Sequence, residues 1–143
     1  MISYINQDIS FSLKSKRFNN TWLKAVARAE GKTLGDISIV FCSDSYILDT
    51  NRTYLGHDYY TDIITFDYCE GNIVSGDLVI SIDTVRADAL EYGSGFDSEL
   101  DRVMVHGLLH LIGYDDHTPE DIAVMRSKED NYLSLKEEMS CNG

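Results

Sequence analysis

Within the first 43 residues the spacing of apolar side chains switches from two to about 3.6 and back, which restricts this part of the chain to one local topology. Ile2 and Tyr4, then Ile9, Phe11 and Leu13, alternate as a single extended segment interrupted by Asn6-Gln7-Asp8, so a bulged first strand is expected. From Phe18 the apolar positions Phe18, Trp22, Ala25, Val26 and Ala29 form one helical stripe that ends at Gly31. Ile37, Ile39, Val40 and Phe41 then read as a second strand. A crossover of this length joins parallel strands, and residues 1–43 are expected to form a βαβ unit.

The rest of the chain adds strands and then helices. Ser43 to Tyr54 opens on capping residues, carries Ile47, Leu48 and Tyr54, and is stopped by Gly56. Ile63 to Tyr68 and Leu78 to Ile82 read as two strands of a hairpin, separated by the turn-forming runs Glu70-Gly71-Asn72 and Ser75-Gly76-Asp77. Helices are expected over Thr84 to Tyr92, Ser98 to Ile112, and from Thr118-Pro119 onward. There Thr118 and Asp121 make a capping box and Pro119 takes the first helical position. The expectation is an α+β fold, a small mixed four-stranded sheet packed with about five helices. At 143 residues with no repeat or linker, it should be one domain over 1–143.

Composition narrows the function classes. With 43% hydrophobic residues and a single Pro the chain is ordinarily globular. Its net charge of -12 opposes broad attraction to nucleic acid or anionic membrane, so any nucleic-acid site must be local. Cys42, Cys69 and Cys141 are an odd number without a CxxC pair. They read as reduced thiols and point to the cytoplasm. Met1 to Ser10 lacks a basic region followed by an apolar one, and no run of about 18 apolar residues occurs, so neither export by a signal peptide nor a membrane span is expected.

Three of the four histidines fall within residues 106–117. His106 and His110, four apart on a helix, share a face and can both reach one ion at about 2 Å, as zinc requires. Gly113 suits the residue that reverses the chain after a helix, which brings Asp116 or His117 within reach as a third ligand. The simpler reading makes His106 and His110 satisfied core residues of the nearly all-apolar helix Val103 to Ile112. Two imidazoles at this spacing, followed by Gly, Asp and His, favour a metal. The metzincin peptidase signature H-E-x-x-H-x-x-G-x-x-H has the same order, but its general base falls at Gly107, so peptide cleavage is disfavoured. His57 stands alone in the loop 56–60 and is weighed equally between substrate contact and no role.

At this motif the chain resembles the YbeY family of bacterial metal-dependent endoribonucleases, whose pattern is H-G-x-L-H-L-x-G-Y-D-H. His106-Gly107, Leu109-His110-Leu111 and Gly113-Tyr114-Asp115 match in place, a run too long for chance. Similarity extends to Asn51, Tyr54, Gly56, Asp58, Thr61-Asp62 with Ile63 to Phe66, to Gly76-Asp77-Leu78-Val79-Ile80, and to Met125 and Glu129. It covers roughly residues 35 to 135. The resemblance implies a zinc-type hydrolase of single-stranded RNA that matures the 3′ end of small-subunit ribosomal RNA and serves ribosome quality control. RNA or the ribosome would be the partner, with no DNA and no membrane.

Two positions depart from the family. Leu55 stands where the family has a basic Arg, which leaves Arg52, His57, Arg86, Arg126 and Lys128 as candidates for phosphate contact, Arg52 and His57 being the catalytic candidates. The family's final His falls at Asp116, one residue before His117. Successive side chains of an extended segment point apart, so one of the two binds: spacing favours Asp116, while imidazole chemistry favours His117. Asp116 is preferred, because the following helix cap at Thr118 limits re-threading of the loop. The ion is expected to be one transition metal, Zn2+ before nickel or copper. Glu129 falls on the stripe of Ile122, Met125, Tyr132 and Leu133, where a buried carboxylate needs a partner, either a ligand His or backbone. The competing function is a ribosome-associated binding protein whose metal is structural.

Overall fold

A computed structural model describes residues 1–57 and 61–142. Among them the order is β1 (Ile2–Asn6), α1 (Lys16–Ala29), β2 (Thr33–Cys42), α2 (Asp44–Leu55), β3 (Ile63–Asp67), β4 (Ile73–Ser81), α3 (Ile82–Tyr92), α4 (Phe96–Ile112) and α5 (Pro119–Asn142). The sheet runs β1-β2-β4-β3, with β1/β2 and β2/β4 parallel and β3/β4 antiparallel. This is the α+β architecture expected, mixed sheet and five helices included, and the first crossover is the parallel β1–α1–β2 unit.

Strand periodicity divides the core. Ile37, Ile39 and Phe41 of β2 with Leu78 and Ile80 of β4 face the large core, filled by Trp22 of α1, Leu108 and Leu109 of α4, and Met125 and Tyr132 of α5. Val40, Cys42 and Val79 point the other way and meet Ile47 of α2. Both faces of the central strands are thus covered, which explains their near-continuous apolar runs. Among the described residues no helix is long and apolar enough to cross a membrane.

Several boundaries differ from the sequence expectation. β1 ends at Asn6, whose amide donates to the Phe11 carbonyl (2.8 Å), while Asp8 turns away to accept from the Ser43 backbone N–H (2.9 Å). Ile9, Phe11 and Leu13 form no strand. Their alternation reflects loop side chains inserted into the core, where the Phe11 ring meets Phe41 edge-on at 4.9 Å. The irregular register lies instead in β2, between Leu34 and Ile37. Ser75-Gly76-Asp77 is not a turn but part of β4, because the hairpin is already closed by reciprocal bonds between Glu70 and Ile73. Ile82 leaves the strand to open α3, where the Ser81 hydroxyl accepts from the Thr84 N–H (3.2 Å). α4 likewise starts at Phe96 rather than Ser98. The capping box forms as spaced: Asp121 N–H donates to the Thr118 hydroxyl (3.0 Å) and Thr118 N–H to Asp121 (3.4 Å).

Two glycines let α4 lie close on the sheet. A Cβ at Gly107 would sit 2.5 Å from Ile63 Cδ1, and one at Gly76 would sit 2.3 Å from the Phe66 carbonyl oxygen. The Ile63 tip can swing away, whereas a paired backbone carbonyl cannot. Gly76→Ala is therefore expected to destabilise by about 2–3 kcal/mol and Gly107→Ala by about 1 kcal/mol. Urea midpoints check this, and the reverse order would contradict the packing.

Candidate metal centre

α4 sets the first two donors. His106 and His110 are one turn apart, their rings crossed at 82° with centroids 4.5 Å apart and their Nε2 atoms facing at 3.0 Å. Gly113, at φ 126°, ends the helix with its N–H bonded to the His110 and Leu109 carbonyls, a backbone conformation that favours glycine. The chain then returns, and Asp116 Oδ2 stands 3.5 Å from each Nε2. Tetrahedral bonds of about 2.0–2.1 Å separate ligand atoms by about 3.3 Å, so this triangle of one carboxylate oxygen and two imidazole nitrogens suits a single ion. His117 is exposed and outside the group.

Behind the donors stands Glu129 of α5, 5% exposed. Its Oε2 lies 2.6 Å from His106 Nδ1, and its Oε1 accepts from Arg102 at 2.8 Å. A carboxylate only accepts, so Nδ1 carries the imidazole proton and Nε2 keeps its lone pair toward Asp116. Burial opposes charge on His106, but the hydrogen bond and charge of Glu129 outweigh it, and the His106 pKa is raised. Burial would likewise push Glu129 up, yet His106 and Arg102 hold it below the usual carboxylate value. The other acid nearby is Asp62, raised by burial against the opposing pull of His106.

His106 borders three cavities. One of about 270 Å³ is lined by Asn51, Leu55, His57, Asp62, His110 and Asp116 among others. A second of about 500 Å³ shares Asp62 and includes Asp88, Glu99, Arg102, Arg126 and Glu129. A third of about 260 Å³ lies between Asp116 and α5 at Ile122, Met125 and Arg126. The structure thus brings His57 and Leu55 to the donors and leaves Arg52 exposed on α2, off this lining. Arg86 instead covers the Phe96 ring at 5.1 Å, and Lys128 pairs with Glu30 at 3.1 Å. Ile122 is 49% exposed, so it falls outside the buried stripe of Met125, Glu129 and Tyr132. Asp58, Tyr59 and Tyr60 lie outside the described residues.

Sequence reasoning missed Arg102 and Asp62 as neighbours of the donors. Arg102 had a local signal, since residues 102, 106 and 110 share one helix face. Asp62 was marked only as part of the family-like Thr61-Asp62, and no spacing linked it to the histidines, because β3 pairing and α4 packing carry it to His106.

The model of the family described as Endoribonuclease YbeY matches residues 2–136. The chain belongs to the YbeY family. Among its relatives, an Endoribonuclease YbeY of Bacteroides thetaiotaomicron is 47% identical over 94% of this chain and 98% of its own. That of Phocaeicola vulgatus is 49% identical over the same shares. The solution structure of a protein from Thermotoga maritima, 25% identical, superposes with a TM-score of 0.69 and covers 99% of this chain and 93% of that one. The YbeY match reaches the N-terminal strand, well beyond the 35 to 135 suggested by motifs, because the βαβ unit carries few polar signals to quote.

Glu129→Gln tests the support behind His106. Metal affinity is expected to fall about tenfold, since outer partners of a ligand imidazole are worth that much. In metal-free protein the depressed Glu129 pKa contributes stability that is present above the ordinary carboxyl range and lost as pH falls through its folded value. The raised His106 pKa contributes stability present below its unfolded value and lost as pH rises through the folded one. Glu129→Gln should remove both slopes from the pH–stability curve; retention of both would place their origin elsewhere.

Proposed function

We propose that this YbeY-family chain is a metal-dependent endoribonuclease that cleaves single-stranded RNA in the cytoplasm, in 3′-end maturation of small-subunit ribosomal RNA. The observation that carries the reading is the donor triangle of His106, His110 and Asp116, with edges of 3.0, 3.5 and 3.5 Å, in a chain whose relatives are named for endoribonuclease activity. These three side chains would hold Zn2+, to which imidazole and carboxylate donors are suited. The ion, when bound, would acidify a water and polarise a phosphodiester.

The chain's own groups do the rest. Glu129 fixes the His106 tautomer, and Arg102 keeps Glu129 charged and in place. Asp62, half-buried and lining two of the cavities that His106 borders, would be the carboxylate within reach to take or return a proton. Arg126 borders two cavities beside the donors and would be the cation to meet a phosphate there, while His57 lines the third. Leu55, in the family's Arg position, lines the same cavity as His57 and offers it only apolar contact. Among the described residues the donor group numbers three, whereas a structural zinc site takes four, and this favours catalysis over the binding-protein reading.

The test is single-turnover cleavage, with zinc-loaded protein, of an end-labelled RNA spanning the 3′ boundary of small-subunit ribosomal RNA, beside the same sequence as duplex RNA and as single-stranded DNA. Cleavage confined to the single-stranded RNA is expected. Zinc binding without cleavage of any of the three would sink the enzyme reading in favour of the binding protein.

A further inference from the structure

Glu30 is the C-cap of α1, an element that supplies nothing to the donor triangle, yet its side chain is only 8% exposed. Its carboxylate accepts three hydrogen bonds: from the Tyr114 hydroxyl at 2.5 Å, from Lys128 Nζ at 3.1 Å, and from the Tyr132 hydroxyl. Those donors belong to the segment that bears Asp116 and to α5, which bears Glu129. Tyr114 lies two residues before Asp116, in the irregular segment between α4 and α5. Lys128 adjoins Glu129 on α5, and Tyr132 follows one turn later. The Lys128 ammonium also sits 5.5 Å from the Tyr114 ring centroid, tying segment and helix directly.

We propose that Glu30 is a positioning residue for the metal centre: through Tyr114 it locks the segment bearing Asp116 against the helix bearing Glu129, so that the third donor is held in place before any ion arrives. The inference rests on the metal reading above. The Asp116 side chain is 39% exposed, and among the described residues its partners are the two imidazoles facing it at 3.5 Å. The Tyr114 N–H bond to the Leu109 carbonyl (3.0 Å) anchors only the start of the segment. An unanchored segment would have to be ordered on binding, and that entropy would be subtracted from metal affinity. The Thr118 cap fixes the far end to α5, and a carboxylate with two phenols and an ammonium, buried where α1, α5 and the segment converge, ties Tyr114 to that helix as well.

Zinc affinity measured by chelator competition decides it, with thermal stability followed in parallel. Tyr114→Phe, which keeps the ring and deletes only the hydroxyl, and Glu30→Gln are each expected to weaken zinc binding about tenfold. The double variant should lose little more than either single one, because both cut one connection. Lys136→Met is the control: it breaks the 2.7 Å pair that joins α5 to Asp101 of α4 without touching Glu30. It should lower the melting temperature and leave zinc affinity within about twofold of wild type. If Tyr114→Phe binds zinc as wild type does, or if Lys136→Met weakens binding as much, the proposal is overturned. Should Glu30→Gln fail to fold, Tyr114→Phe alone decides between these outcomes. His106→Ala binding zinc as tightly as wild type would instead remove the metal reading itself, a result distinct from selective failure of the clamp variants.

Discussion

His106→Ala and His110→Ala are each expected to cut single-turnover cleavage of single-stranded RNA by about a thousandfold. A Lewis-acid ion supplies several kcal/mol of transition-state stabilisation, and about 4 kcal/mol corresponds to that factor. Removing one corner of the triangle leaves two donors, too few for a tetrahedral site with an open position. The fold should persist in His106→Ala, because Glu129 keeps its 2.8 Å bond to Arg102 and is not stranded as a lone buried charge. Elemental analysis should show about one ion per wild-type chain and little in either variant. Equal metal content in wild type and the double variant would mean that these histidines are core residues only.

Trp22→Ala is expected to be the costliest single truncation for stability. The indole is fully buried where α1, α4 and α5 meet, its N–H donates to the Tyr132 carbonyl at 2.8 Å, and the Lys136 ammonium lies 4.4 Å from its ring centroid. Cavity formation costs about 3–5 kcal/mol, and the lost hydrogen bond and cation–π contact add about 1–2 kcal/mol more. Against a usual total of about 5–15 kcal/mol this is enough to leave the protein marginal. Urea denaturation checks this effect, and a loss below about 1.5 kcal/mol would show that the pocket refills.

What was legible from sequence was local. The i, i+4 spacing of His106 and His110 holds on any helix, and the caps at Ser43, Gly56 and Thr118 act within one turn, so each follows from neighbours in the chain. The apolar runs of Ile37 to Phe41 and Leu78 to Ile80 likewise marked β2 and β4 as strands, though not which of their side chains face the large core. The segment between Gly113 and Thr118 is short enough that Asp116 and His117 were the competing third donors, and the structure stands Asp116 beside the imidazoles.

What only tertiary structure decided involves partners distant along the chain. The α5 stripe turned Glu129 inward with a ligand His or backbone as alternatives, but its meeting with His106 across 23 residues, like that of Glu30 with Tyr114 across 84, was set by packing alone. The same alternation that made β2 a strand misled at Ile9, Phe11 and Leu13, because loop side chains reaching a core can alternate without a ladder. Gly76 read as a turn for a related reason: only the approach of Phe66 and Leu111 shows that a strand there has no room for a Cβ. Local spacing determines which residues can share a helix face or a strand face. Which faces meet, and hence which carboxylate holds which imidazole, is decided by the packing of elements whose contacts the linear order does not encode.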